Sequence, residues 1–141
     1  MKGELAAFAA ATLFSAVGAE RYNSGEVKTY EEFLYGKFRT RMQGSGKKGT
    51  VSSFFTFWNG SEDLPWSEEH WNEIDVELVP SVEDAPFATN IIYSWRQMDT
   101  MKIPDFDPAD NWHTYEIQWT PKYISWWLDE KEVRKVEGAA S

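Results

Sequence analysis

The 141-residue sequence contains no cysteine, and its basic side chains are far outnumbered by acidic ones. Without cysteine the chain has neither a disulfide framework nor a thiolate metal site. Its 14 lysines and arginines against 23 aspartates and glutamates give a net charge of -9, which repels phosphate backbones and anionic lipid surfaces. We therefore expect neither a nucleic acid nor a membrane among the partners of this chain, whose length fits one domain.

The sequence also lacks a hydrophobic run long enough to span a bilayer. An apolar, alanine-rich segment from Leu5 to Val17 follows Met1-Lys2, but a transmembrane helix needs about 20 such residues. The small residues at 17–19 are typical of a site cut by signal peptidase. We interpret residues 1–19 as a signal peptide and expect a secreted protein. Because Glu4 is unusual in a leader, an amphipathic helix or a misplaced start codon remains the alternative.

Helical patterns are scarce, whereas short strand-like segments recur. Outside the N-terminal segment no run of about twelve residues has helical periodicity. Apolar or alternating segments are separated by turn clusters rich in Gly, Pro, Ser and Asn, and they cover residues 33–42, 50–58, 73–79, 87–95, 113–119 and 123–128. This spacing predicts an all-β protein, an antiparallel β-sandwich or jelly roll formed by residues 20–141.

Aromatic side chains are abundant, with 8 Trp, 6 Tyr and 9 Phe. On a concave surface such rings can stack on the faces of sugars. They also fill the cores of all-β proteins, so composition alone supports both interpretations.

Within the segment 73–79, polar and apolar side chains alternate strictly from Glu73 to Leu78. Because successive side chains of a strand point to opposite faces, we expect its apolar residues in the core: Ile74, Val76 and Leu78. Glu73, Asp75 and Glu77 then form a column on the other face. Acidic residues are depleted in strands and like charges in a row repel. We interpret the column as a functional feature, with a solvated edge strand as the alternative.

The spacing of the two glutamates suits a known reaction. Positions four apart on a strand are separated by roughly 13 Å at about 3.3 Å per residue. If each side chain leans toward the other, the carboxyl groups of Glu73 and Glu77 come within about 5 Å, the separation found in retaining glycosidases. Inverting glycosidases need roughly 6.5–9.5 Å. Asp75 lies between them and can hydrogen-bond to one of them.

The column, preceded by Trp71, resembles the signature of glycoside hydrolase family sixteen. The laminarinase-type branch of the family has one extra residue before the last Glu, and this sequence does not, so it resembles the lichenase-like branch. Within that branch the similarity is strongest to the circularly permuted 1,3-1,4-β-glucanase type. The resemblance runs from about Ala19 to Gly138 and includes further motifs at residues 35–38, 49–55, 59–61, 112–115, 119–121 and 127–129.

The resemblance implies a concanavalin-like jelly roll and a retaining, endo-acting hydrolase of β-glucan, mixed-linkage or related. It makes Glu73 the nucleophile, Glu77 the general acid/base and Asp75 the assisting carboxylate. It also implies that certain side chains bind substrate: Glu26, Phe55, Asn59, Trp71 and Asn90. No cofactor is required, although the family allows a structural calcium ion. A non-catalytic carbohydrate-binding sandwich and a transglycosylase are the alternatives.

The chain also departs from the family pattern. Ala88 stands where the permuted glucanases have Gln, and the loop 80–86 lacks their Gly-Lys turn, which leaves linkage specificity open. The chain ends at Ser141, before a later strand of the family. We therefore expect a jelly roll that is incomplete at its C-terminus, with three alternatives: a fragment, a truncated gene, or half of a two-piece protein that a complementary C-terminal segment completes. Unpaired edges invite association, so we expect residues 20–141 alone to be marginally stable and poorly active.

Overall fold

The computed structural model describes residues 5–8, 23–58, 60, 67–80, 86–94, 96–103 and 106–138. The chain divides into two compact units, residues 1–34 and 35–141. In the first unit, β1 (Leu5–Phe8) pairs antiparallel with β2 (Glu26–Thr29). The interpretation of residues 1–19 as a signal peptide stays a prediction.

The second unit contains two four-stranded antiparallel sheets. Sheet I consists of β4 (Ser52–Trp58), β5 (Asn72–Leu78), β6 (Phe87–Tyr93) and β7 (Arg96–Ile103), adjacent in that order. Sheet II has the order β10-β9-β8-β3 and consists of β3 (Gly36–Met42), β8 (His113–Trp119), β9 (Tyr123–Leu128) and β10 (Lys131–Glu137). A short 3-10 helix, Glu68–His70, precedes β5. The predicted all-β antiparallel architecture is confirmed.

The core lies between the two sheets because each sheet has one apolar face. The apolar residues of β5 are buried as expected, and so are alternate residues of β8 and β9 in sheet II. Stacked sheets whose alternating side chains interdigitate in this way bury both apolar faces together. The core consists of Ile74, Val76, Leu78, Phe87, Ile91, Tyr115, Ile117, Ile124 and Trp126. Among the described residues, no helix is long and apolar enough to cross a membrane.

The first strand of sheet II begins later than the sequence pattern predicts. Phe33 and Leu34 are 52% and 76% exposed, and Tyr35 has a φ of 68°. An L-residue in this left-handed region interrupts an extended strand. The alternation that starts at Phe33 therefore becomes a strand only at Gly36.

Charged β10 is attached to sheet I by one buried arginine. Arg134 is 6% exposed, and its Nη1 donates to the backbone oxygen of Thr89 at 2.6 Å and to the Thr89 hydroxyl at 2.9 Å. Its guanidinium also lies 4.5 Å from the ring centre of Trp126. Charged donors make stronger hydrogen bonds than neutral ones, so this contact holds β10 of sheet II against β6 of sheet I.

We predict that Arg134→Met lowers the free energy of unfolding by about 2–3 kcal/mol, because two charge-assisted hydrogen bonds are lost and the Thr89 oxygens lose this donor. Urea unfolding at constant m-value measures the change. Lys131→Met, an exposed position on the same strand, is the matched control and should leave the midpoint nearly unchanged. Equal midpoints for the two variants would contradict the assigned role of Arg134.

Candidate active site

The acidic column of β5 lies on the face of sheet I that points away from the core. Asp75 is 3% exposed, whereas Glu73 and Glu77 on either side of it remain partly accessible. The antiparallel register places further side chains on this face, from β4 and β6: Ser53, Phe55, Phe57, Ala88, Asn90 and Ile92. Two reachable carboxylates therefore flank a buried one.

Each glutamate is oriented by a nitrogen donor. The indole Nε1 of Trp71 donates to Glu73 Oε2 at 2.7 Å. The amide Nδ2 of Asn90 donates to Glu77 Oε2 at 2.9 Å and to Asp75 Oδ2 at 3.3 Å. Trp71 and Asn90 were predicted to bind substrate, and the structure brings both side chains to the column. Their contacts with substrate stay predictions.

Burial raises the pKa of Asp75 from its ordinary value of 3.8 to about 8. The charge of Glu73, a side-chain hydrogen bond with Glu73 and the charge of Glu77 act in the same direction, against the hydrogen bond from Asn90. Asp75 Oδ1 is buried and accepts no hydrogen bond from the described part of the chain. Two carboxyl groups can share a hydrogen bond only if one carries a proton. A pKa of about 8 keeps Asp75 mainly protonated at pH 7, which allows its carboxyl group to donate to Glu73.

The backbone at Asp75 is held from the opposite sheet. Trp126 is fully buried, and its indole Nε1 donates to the backbone oxygen of Asp75 at 2.9 Å. The side chain of Asp75 points away from the core while its carbonyl is hydrogen-bonded across it. This contact was not predicted from the sequence, where Trp126 belongs to an apolar segment whose partner strand cannot be identified.

Aromatic rings continue the site along β4. Phe55 lies 6.5 Å from Phe57, and Phe57 lies 6.2 Å from Trp71, both with edge-to-face geometry. Phe57 is 48% exposed and was missed by the sequence analysis, although its two-residue spacing from Phe55 places both on one strand face. Asn59 lies outside the described residues. Glu26 lies exposed on β2 in the first unit, and its role stays a prediction.

The described residues contain no group of three or more His, Asp or Glu side chains that could hold a metal ion. No ligand for the structural calcium ion implied by the family resemblance can therefore be named from these side chains. The two histidines have other contacts. His113 Nδ1 lies 2.6 Å from Asp129 Oδ2, and His70 Nδ1 lies 3.0 Å from the Ser67 hydroxyl.

The raised pKa of Asp75 predicts a pH-dependent stability. Between its ordinary pKa and about 8 the native state holds a proton that the unfolded chain releases, so this group makes stability fall as pH rises from about 4 to about 8. Asp75→Asn mimics the neutral form. We expect the unfolding free energy of the variant, relative to the parent, to improve steadily across this range.

Urea unfolding at about pH 4, 6 and 8 measures that difference. Asp110→Asn, at an exposed turn position, is the matched control and should show a flat difference. A flat difference for Asp75→Asn as well would mean that Asp75 is already ionised in the native state.

The chain is similar to known glycoside hydrolases. The family model described as "Glycosyl hydrolases family 16" matches residues 8–141. The "Beta-glucanase" of Fibrobacter succinogenes is 40% identical over 136 residues, which make up 94% of this chain and 38% of that protein. The chain therefore spans well under half the length of this relative.

Two solved structures share the fold. The crystal structure of a prokaryotic β-1,3-1,4-glucanase (lichenase) from a mouse hindgut metagenome has a TM-score of 0.68 at 26% identity, over 89% of this chain and 56% of that one. The β-glucanase of Bacillus licheniformis has a TM-score of 0.69 at 26% identity, over 82% and 51%. Because the family model covers nearly its whole length, the chain belongs to glycosyl hydrolases family 16.

Proposed function

We propose that the chain carries the catalytic strand of an endo-acting β-glucanase that cleaves by double displacement with retention. The observation that carries the proposal is the column on β5, where the partly accessible Glu73 and Glu77 flank a buried Asp75. Retaining and inverting glycosidases both use two carboxyl groups, and the spacing of four residues on one strand favours the shorter separation of about 5 Å that retaining enzymes need. The relatives named β-glucanase and lichenase support β-glucan as the substrate.

In the first step Glu77 protonates the glycosidic oxygen of the leaving group while Glu73 attacks the anomeric carbon. The C–O bond to the leaving group breaks, and an ester bond between Glu73 and the sugar forms. In the second step Glu77 takes a proton from water, and the resulting hydroxide displaces Glu73 from the anomeric carbon. Two inversions give net retention.

Different neighbouring side chains position the two glutamates. Trp71 orients Glu73, and Asn90 orients Glu77. A neutral Asp75 donates to Glu73 and adds no third negative charge to the column. When Glu73 becomes an ester its negative charge disappears, and the proton on Asp75 becomes easier to lose. Asp75 therefore acts as the assisting carboxyl through its proton.

For the linkage of the substrate we favour mixed-linkage β-glucan. Ala88, which lies directly across from Glu77 in β6, is a position at which this chain departs from the permuted glucanases. Transfer to a sugar acceptor instead of water uses the same column, so products formed with and without an oligosaccharide acceptor distinguish a hydrolase from a transglycosylase. Secretion, with residues 1–19 as the signal peptide, fits a polymeric substrate and belongs to the same proposal.

We predict that Glu73→Gln lowers turnover of barley β-glucan by about a thousandfold or more, because no covalent intermediate can form. Binding of the polymer should remain within a few-fold of the parent. Glu137→Gln, whose side chain is 78% exposed on β10, is the matched control and should keep full activity. More than a tenth of the parent activity in Glu73→Gln would reject the nucleophile assignment. A parent chain that binds glucan without cleaving it would favour the binding-sandwich alternative.

The double-displacement mechanism also predicts the stereochemistry of the product. Proton NMR during the first minutes of barley β-glucan hydrolysis should show new reducing ends as the β-anomer, before mutarotation mixes the two. An initial α-anomer would require a single displacement by water and would contradict a covalent intermediate on Glu73.

A further inference from the structure

A second organised surface lies on the outer face of sheet II, away from the acidic column. Alternation along β9 points Ile124 and Trp126 into the core, so Ser125 and Trp127 point outward. Trp127 Nε1 donates to the Ser125 hydroxyl at 2.9 Å, and Ser125 is fully buried. The Nε1 edge of the Trp127 indole is therefore held over its own strand by Ser125, and the side chain of Trp127 remains partly exposed.

Beside the indole stands a carboxylate that is buried although it is on an outward face. Glu116 is 4% exposed and is opposite Trp127 in the register of β8 and β9. Arg39 donates to Glu116 Oε2 through Nε at 2.7 Å and Nη2 at 2.6 Å. Gln118 Nε2 donates to Oε1 at 2.7 Å, and Lys37 Nζ lies 3.2 Å from the same oxygen. Glu116 is therefore held by a network of charged and polar side chains, which distinguishes it from an isolated surface ion pair.

Further polar groups lie around the network. Gln118 donates to Glu116 through Nε2, and its amide oxygen and the hydroxyl of Thr114 belong to side chains that line the same surface. The side chains of Lys37 and Arg39 are 56% and 54% exposed, although their heads are held in place by Glu116. Hydrogen-bonding side chains and the indole of Trp127 thus line the same surface.

These side chains line an open pocket of about 240 Å³ together with Glu130. This volume is below the roughly 300–1,000 Å³ typical of small-molecule sites, so it suits a surface contact better than an enclosing cleft. Two cationic and two anionic side chains line it, so their charges balance. That balance disfavours phosphate, sulfated or uronate ligands and favours a neutral ligand with many hydroxyl groups.

We propose that the outer face of sheet II is a second carbohydrate-binding site, in which a neutral β-linked glucan stacks on Trp127. The apolar C–H face of a glucosyl ring covers the indole and removes both from water. Its equatorial hydroxyls then reach the exposed N–H groups of Arg39 and the amide oxygen of Gln118. The choice of β-glucan rests on the proposed function, whereas the binding of a neutral glycan does not.

Such a site would act on the polymer and not on the bond being cleaved. It lies on the opposite sheet from Glu73 and Glu77, so it holds a different chain, or a distant part of the same chain. A second attachment to a polymeric substrate raises the effective concentration of the first. The gain in apparent affinity therefore appears with long or insoluble glucan, and it is absent with a short oligosaccharide that fills only the catalytic face.

The test uses the 141-residue chain with Glu73→Gln, so that barley β-glucan is not degraded during affinity electrophoresis. Adding Trp127→Ala should raise the dissociation constant for the polymer about three- to tenfold. The matched control is Trp112→Ala, which removes a tryptophan that is 52% exposed outside the pocket and should leave retention unchanged. Gln118→Leu, which removes a polar group and keeps the strand, should weaken binding about twofold to fivefold.

With Glu73 intact, Trp127→Ala should raise the apparent KM for the polymer several-fold and leave kcat on a short mixed-linkage oligosaccharide unchanged. Unchanged retention in Trp127→Ala and Gln118→Leu, or no retention of the Glu73→Gln parent, would overturn the second site. If the parent never cleaves β-glucan but is retained in a Trp127-dependent way, the proposed function fails while the second site stands. Circular dichroism checks folding, and Gln118→Leu decides the question if Trp127→Ala does not fold.

Discussion

The neutrality of Asp75 is the constraint on which the arrangement of the acidic face depends. Side chains two residues apart on a strand are separated by about 7 Å, and two ionised carboxylates at that distance repel by about 2–3 kcal/mol at an effective dielectric constant near 20. An ionised Asp75 would face such a repulsion from each of its neighbours, in addition to the loss of its hydration. Domains are stable by only about 5–15 kcal/mol. Holding a proton replaces both costs with the smaller free energy of protonation and allows a hydrogen bond with Glu73 where there would be repulsion.

The same strand depends on contacts that cross the core. Trp126 donates to the backbone oxygen of Asp75, and Arg134 donates to Thr89, which directly precedes Asn90. Arg134 also lies against the ring of Trp126. The hydrogen bond from Asn90 to Glu77 therefore starts next to a backbone position that sheet II holds in place. Packed interiors transmit small shifts, so changes on β9 and β10 should be felt on the acidic face.

The strands that could be predicted from the sequence are those with a buried face. β8 and β9 agree with the predicted segments at residues 113–119 and 123–128, and β5 agrees within one residue at each end. β7 and β10 were missed. Their sequences, RQMDTMKI and KEVRKVE, have few apolar residues, and both strands lie at the edge of a sheet. Edge strands bury less surface, and charged residues there discourage pairing with other chains.

By itself, the sequence determined the all-β class, the family and the three carboxylates on one face of β5. All of these follow from local properties, since alternation along a strand needs no knowledge of its partners. Only the tertiary structure decided that Asp75 is the buried carboxyl of the column and that Asn90 donates a hydrogen bond to Glu77. Only the tertiary structure decided, too, that Trp126 and Arg134 contact the strands of the site from the opposite sheet. Only the register of β3, β8 and β9 brought Arg39, Glu116 and Trp127 side by side. Burial and hydrogen bonding between residues far apart in the chain depend on how strands pair and sheets stack, and a pattern read along one strand does not contain that information.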